Sequence, residues 1–221
     1  LSGIQVLGFD NGPLDLTSLV TAASAPAATF TSIANLYSAY LDRAPDALGL
    51  YYWAAKLHDG MALSDIARSF FASSEAAGFR TPIGVEDAVT TAYLTVLDRA
   101  PDANGFEYWV GEVANGNVSL DLLPLAMHAG AFAPSGGAPD AQYLLNRSAV
   151  GTYFAVTQGL RNLEDARSVS NVVDVSAASV EEALQLVEFY AVAANSVESS
   201  ELVVQLTGLF TRPVWDSEND V

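Results

Sequence analysis

From Ala27 onward the apolar positions recur three and four residues apart, and that spacing predicts a helix. Ile33, Leu36, Tyr37, Tyr40 and Leu41 fall on one face. The helix is expected to stop near Arg43, because Pro45 follows and disfavours helical backbone at Ala44. Asp46 then stands where an N-cap belongs, with a carboxylate able to accept from the N–H groups of the next turn. Leu50, Trp53, Ala54 and Leu57 form the next apolar face, and Asp59-Gly60 supplies the stop. A third helix carries Ile66, Phe70 and Phe71. The unit is helix, short junction, helix, glycine stop, helix.

The unit then repeats. LDRAPDALGLYYW at residues 41–53 returns as LDRAPDANGFEYW at residues 97–109, an offset of 56. The same offset joins Tyr37 to Tyr93, Asp46 to Asp102, Gly49 to Gly105, Trp53 to Trp109 and Gly60 to Gly116. A register unbroken over these positions marks a duplicated module. Modules of this size bury their free faces against one another. The expected fold class is all-α, with duplicated three-helix modules of about 56 residues and additional C-terminal helices.

The flanks divide the chain further. Residues 1–26 read as an irregular segment around an Asn-Gly-Pro turn signal. Residues 27–80 and 81–133 hold the two modules, and APSGGAPD at 133–140 is a loop. Residues 140–221 form a C-terminal helical region. Within it, 141–159 reads as helix, while the serine- and valine-rich stretch 168–175 reads as extended. Ser179 with Glu182 matches a capping box ahead of Leu184, Val187 and Ala191. A last short helix is expected over 199–210.

Charge narrows the partners. The 221 residues carry 26 acidic against 9 basic side chains, for a formal net charge of −17. Such a chain repels nucleic acid and anionic lipid at long range. No run of roughly eighteen strongly apolar residues exists, so no membrane insertion is expected. The absence of cysteine excludes thiol nucleophiles, disulfides and thiolate metal sites. The chain begins at Leu1, and no basic, apolar signal segment opens it, an absence that carries little weight.

The aspartates admit two readings. Asp42, Asp46, Asp98, Asp102 and Asn104 cluster within short loops, as calcium ligands do. The second copy has oxygen ligands where an EF-hand has its first, fifth and seventh. It has Ala103 where the sharp turn needs glycine, and Trp109 where the bidentate glutamate belongs, so an EF-hand is excluded. An irregular calcium site remains one candidate. The other reading is a helix junction: Asp46 and Asp102 cap helices, Asp42 and Asp98 fold back on Arg43 and Arg99 or on free backbone N–H groups, and Gly49 and Gly105 permit close helix approach. Trp53 and Trp109 lie on apolar faces and are expected in the core. Tyr52 and Tyr108 sit one position off those faces and are the candidates for exposed ligand binding.

No catalytic constellation is legible. His58 and His128 do not occupy matching positions. HExxH, a glycine-rich phosphate loop and a GxSxG elbow are all absent. Acidic pairs can serve glycoside hydrolysis, but only as inequivalent groups across a cleft.

The repeated motif resembles that of the DUF4214 family, whose pattern is close to LYxxxLxRxPDxxGxxYWxxxLxxG. The first module carries Leu36, Tyr37, Leu41, Arg43, Pro45, Asp46, Gly49, Tyr52, Trp53, Leu57 and Gly60, followed by Ser73, Ser74 and Glu75. The second carries Tyr93, Leu97, Arg99, Pro101, Asp102, Gly105, Tyr108, Trp109 and Gly116, with Gly130 and Ala131 in place of the Ser-Glu. The resemblance implies a helical domain of bacterial extracellular proteins, often beside calcium-binding RTX repeats exported by type I secretion. Similar helical regions anchor some S-layer proteins to cell-surface polysaccharide. This chain has no GGxGxD nonapeptide, so RTX calcium binding is not carried over. The expected function is a noncatalytic module of the bacterial cell surface or extracellular matrix, with glycan or other domains of a larger secreted protein as partner. The alternatives are a structural spacer in a type I-secreted protein and a glycan-processing enzyme.

Overall fold

A computed structural model describes residues 6–9, 12–80, 84–134, 136–196, 199 and 203–213. Helices dominate. A short antiparallel hairpin, β1 (Val6–Phe9) and β2 (Gly12–Asp15), pairs Val6 with Asp15 and Phe9 with Gly12. It leads directly into α1 (Leu16–Ala23), whose N-terminus is capped by Asp15 accepting from Thr17 N at 2.9 Å. Within the N-terminal segment expected to be irregular, residues 6–9 and 12–23 therefore form regular structure, while residues 1–5, 10 and 11 lie outside the described residues. The hairpin strands are too short to carry a periodic signal.

The first module comprises α2 (Ala27–Leu41), α3 (Ala47–His58) and α4 (Leu63–Ala72), followed by a 3₁₀ segment, Glu75–Arg80. The second comprises α5 (Val85–Leu97), α6 (Ala103–Ala114) and α7 (Leu123–Ala131), the last entered through a 3₁₀ turn, Leu120–Leu122. The chain continues into α8 (Ala138–Thr152), a π-helical turn (Tyr153–Thr157), α9 (Leu163–Asn171) and α10 (Ala177–Ala194).

Helix α2 is the hub. It packs on α3 and α4 of its own module, on α5 and α7 of the second, and on α8. Its burial matches: Phe30, Ile33, Leu36, Tyr37, Ala39 and Tyr40 are all enclosed. Helix α3 is covered by α1 and by the π-helical turn. The Tyr51 hydroxyl, with one proton to give, lies there within donating distance of Val204 O at 2.6 Å and Ala155 O at 2.9 Å.

Three expectations for the C-terminal region need correction. The stretch 168–175 is helical as far as Asn171, because Asn162 caps α9 and Ala166 and Val169 face the core. Its Ser168 hydroxyl donates back to Glu164 O at 2.9 Å, so the polar group is met within the helix. The cap of α10 is Ser176, not Ser179. Ser176 Oγ accepts from Ser179 N at 3.1 Å, while Ser179 is buried inside the helix. Within the range expected as a last helix, residues 203–206 run without regular structure and residues 207–209 turn. Leu206 N donates to Val156 O at 3.1 Å, and Leu206, Leu209 and Phe210 pack on the core. The Leu206 bond ties this segment to the π-helical turn.

Candidate functional site

The two junctions share one construction. Helices α2 and α5 end on Asp42 and Asp98, both left-handed at φ 50°. A side chain makes that conformation costly, and aspartate is among the residues that adopt it most readily. The turn returns the following arginine over the helix just left. Arg43 lies 5.0 Å over the Tyr37 ring, and Arg99 5.1 Å over the Tyr93 ring. Asp46 accepts from Gly49 N at 2.8 Å, and Asp102 from Gly105 N at 2.9 Å, so both cap helices. A methyl group on Gly49 would run into the Tyr37 hydroxyl, and one on Gly105 into that of Tyr93. Glycine is needed here for helix–tyrosine approach. The stops repeat too, with Gly60 at φ 99° and Gly116 at φ 74°.

Asp42 does not fold back on Arg43. Its carboxylate accepts from Arg147 Nη2 of α8 at 2.9 Å, and the buried Arg147 also donates to Tyr143 Oη and Ser38 Oγ. Burial raises the Asp42 carboxyl above its ordinary value, with Arg147 opposing and Asp98 adding to the shift. Arg43 instead grips Glu75, Nε to Oε1 at 2.7 Å and Nη2 to Oε2 at 3.0 Å. Arg99 grips Asp140 in the same bidentate way, at 2.8 and 2.7 Å.

The duplication changes register after the glycine stop. Leu63 begins α4 and Leu120 begins the turn into α7, an offset of 57 instead of 56. Burial follows this new register: Ile66, Ala67 and Phe70 correspond to Leu123, Pro124 and Met127. Phe70 stands edge-on to Tyr37 at 4.9 Å and tilted against Trp53 at 5.6 Å, sealing the first junction. Met127 presents no ring to Tyr93 and Trp109. The Arg99 carboxylate partner also comes from the start of α8, across the loop after α7. Between these elements a cleft of about 530 Å³ opens.

The cap residue Asp102 and Asn104, Tyr108 and Trp109 of α6 line it together with Tyr93, Arg99, Met127, Gly130 and Asp140. Tyr108 is 57% exposed and edge-on to Trp109, with centroids 5.0 Å apart. Gly130 meets the Trp109 ring so closely that its Cβ would lie 3.1 Å from Cζ2. The Gly105 N–H holds the Asp102 carboxyl below its ordinary value. Burial, with Asp102 alongside, raises the Tyr93 phenol.

The sequence candidates separate accordingly. Asp102, Asn104 and Tyr108 come together in the cleft. Asp42 is tied to α8, and Asp46 caps α3 beside Arg43. Tyr52 is exposed on α3 with the Lys56 ammonium 5.4 Å from its ring centroid. Among the described residues, no group of three or more His, Cys, Asp or Glu side chains is placed to hold a metal ion. Trp53 and Trp109 pack on the core while staying partly exposed. His128 is half-buried beside Phe132, and desolvation depresses its imidazole to about 4, so it stays neutral near pH 7. Met127 and Asp140 were not legible as site residues. Met127 carries a weak signal in the contrast with Phe70, and Asp140 carries none.

Two segments, residues 23–80 and 81–129, match the family model described as Domain of unknown function (DUF4214). No curated protein and no solved structure matches the chain. Among the described residues no helix is long and apolar enough to cross a membrane.

Proposed function

We propose that the chain is a noncatalytic extracellular module that associates with a cell surface or matrix by binding glycan in the cleft of its second module. The observation that carries this reading is the exposed Tyr108 ring, braced by Trp109, over a groove that also offers Asp102 and Asn104. Aromatic faces stack on the apolar face of a sugar ring, and a few convergent polar groups satisfy its hydroxyls. The resemblance to secreted and S-layer-associated helical domains points the same way.

The cleft contains two inequivalent carboxylates, Asp102 and Asp140, as a glycan-processing enzyme would need. Their environments argue for binding instead. Asp102 is held ionised by the Gly105 N–H, and Asp140 has both oxygens on Arg99. Neither is set up as the proton donor that glycoside hydrolysis requires.

The test is a pull-down of the purified chain on washed cells of the producer and on its surface polysaccharide, with and without calcium. The parent protein is expected on the pellet, and Tyr108→Ala is expected to remain in the supernatant while melting like the parent. Equal retention of both, or failure of the parent to bind at any salt or calcium concentration, overturns the reading.

A further inference from the structure

The polar groups of the second-module cleft are arranged in a way that selects ligand charge. Among the described residues that line it, the one cation is Arg99. Nε and Nη2 are spent on Asp140, Nη1 on Ala100 O at 3.1 Å, and the guanidinium face on Tyr93. Three of the five N–H donors of Arg99 are spent in this way, and its charge is matched by the Asp140 carboxylate. Asp102 and Asp140 outnumber it, and the chain around them carries −17. An acidic sugar entering here meets net negative charge, because the single arginine is already balanced by Asp140. The carboxylates are themselves engaged, Asp140 through both oxygens and Asp102 through Oδ1 on the Gly105 N–H, with Arg99 Nη1 3.5 Å from its Oδ2. What the cleft offers a ligand is the Tyr108 and Trp109 rings, the Asn104 amide, the outer edge of Asp102 and the remaining N–H groups of an arginine whose charge is already balanced.

We infer that this cleft takes uncharged sugar rings and rejects acidic ones; the inference rests on the glycan reading above and adds the ligand class. A volume of about 530 Å³ lies in the range of small-ligand sites, so a short stretch of chain is bound and not a whole polymer face. The first module cannot share the activity, because Phe70 fills the corresponding space between Tyr37 and Trp53.

The test is an array of immobilised oligosaccharides that spans neutral hexose, N-acetylated, amine-bearing and uronic-acid or sulfated types, probed with the full chain. Binding to neutral or N-acetylated members is expected, and it should change less than twofold between low and high salt, because no ion pair forms. The companion variant is Met127→Phe, which installs in the second module the ring that the first already has. It is expected to lose at least tenfold in affinity while the melting temperature stays within a few degrees of the parent. Should that variant misfold, Tyr108→Ala serves as the second site variant, with the same loss expected. Binding confined to acidic members, or a preference for amine-bearing members that survives high salt, overturns the charge inference and leaves the glycan reading standing. Binding to no member overturns both. Retention of full affinity by the folded Met127→Phe and Tyr108→Ala chains removes the cleft as the site.

Discussion

The junctions after α2 and α5 make nearly the same bonds in very different surroundings. Arginine stacks on tyrosine, aspartate caps the next helix, and a carboxylate from farther along the chain closes the arginine fork in both. Yet the Arg43 side chain is 4% exposed and that of Arg99 38%. The first junction lies under α8, the Glu75 segment and Phe70. The second has α6 on its outer side, and no residue of α6 is fully buried. Duplication preserved the local motif while the neighbours diverged. One copy became part of the core, and the other kept an open face. A motif that serves stability when enclosed can present rings and polar groups to a ligand when it is not.

Breaking the arginine forks should separate the two most. Arg43→Ala removes one partner of a mostly enclosed ion pair and is expected to cost about 3 kcal/mol. Arg99→Ala breaks a partly solvated pair and is expected to cost about 1 kcal/mol or less. Denaturant unfolding of both variants measures the gap; equal losses would mean that burial does not distinguish the junctions.

A methyl group at the close helix approach sharpens the contrast. Alanine gains about 1 kcal/mol over glycine in helix propensity. At Gly49 the clash with Tyr37, and with Asp46 Oδ2 at 2.8 Å, outweighs that gain, for an expected net cost of about 2 kcal/mol. Gly105→Ala should cost less, because Tyr93 can shift toward the cleft. Combining Gly49→Ala with Tyr37→Phe should cost less than the two separately, and simple additivity in the double-mutant cycle would rule out this contact.

Acid titration gives the smallest difference. Arg43, through its hydrogen bonds, lowers the Glu75 carboxyl from its ordinary 4.5. The unfolded chain therefore takes up that proton first as pH falls. The Glu75 contribution is fully present above about pH 4.5 and is lost as pH drops through the lowered folded value. Asp42 runs the other way. Its folded value is raised, so its share of stability falls as pH rises from 3.8 toward that value. Glu75→Gln should flatten the loss of stability below pH 4.5, read from melting temperatures across the acid range. An unchanged acid limb would show that the fork does not set it.

The legible parts of the site are the short-range ones. Asp46 and Asp102 were readable as caps because a cap and its N–H groups lie within three residues, and Gly60 and Gly116 as stops for the same reason. The junction aspartates were harder. Proximity in sequence suggested Arg43 as the partner of Asp42, but Arg147 arrives 105 residues later. The replacement of Ser-Glu by Gly130 and Ala131 at the end of α7 was visible as a gap in the motif. That Asp140 closes the fork from the start of α8 was not, because its distance in sequence is set by a loop and not by a helical period.

The amino-acid pattern by itself determined the helices of the modules, their duplication, their caps and stops, and the exposure of Tyr52 and Tyr108. All of these rest on backbone hydrogen bonding and on faces repeated every three or four residues, which neighbours in the chain decide among themselves. Packing decided what the repeat could not express. One extra residue before α7 sets the register in which Met127 takes the place of Phe70, and α8 docks so that Arg147 reaches one junction and Asp140 the other. A cleft is the space left between elements distant in sequence, so closely matching motifs can line a sealed core in one module and an open groove in the next.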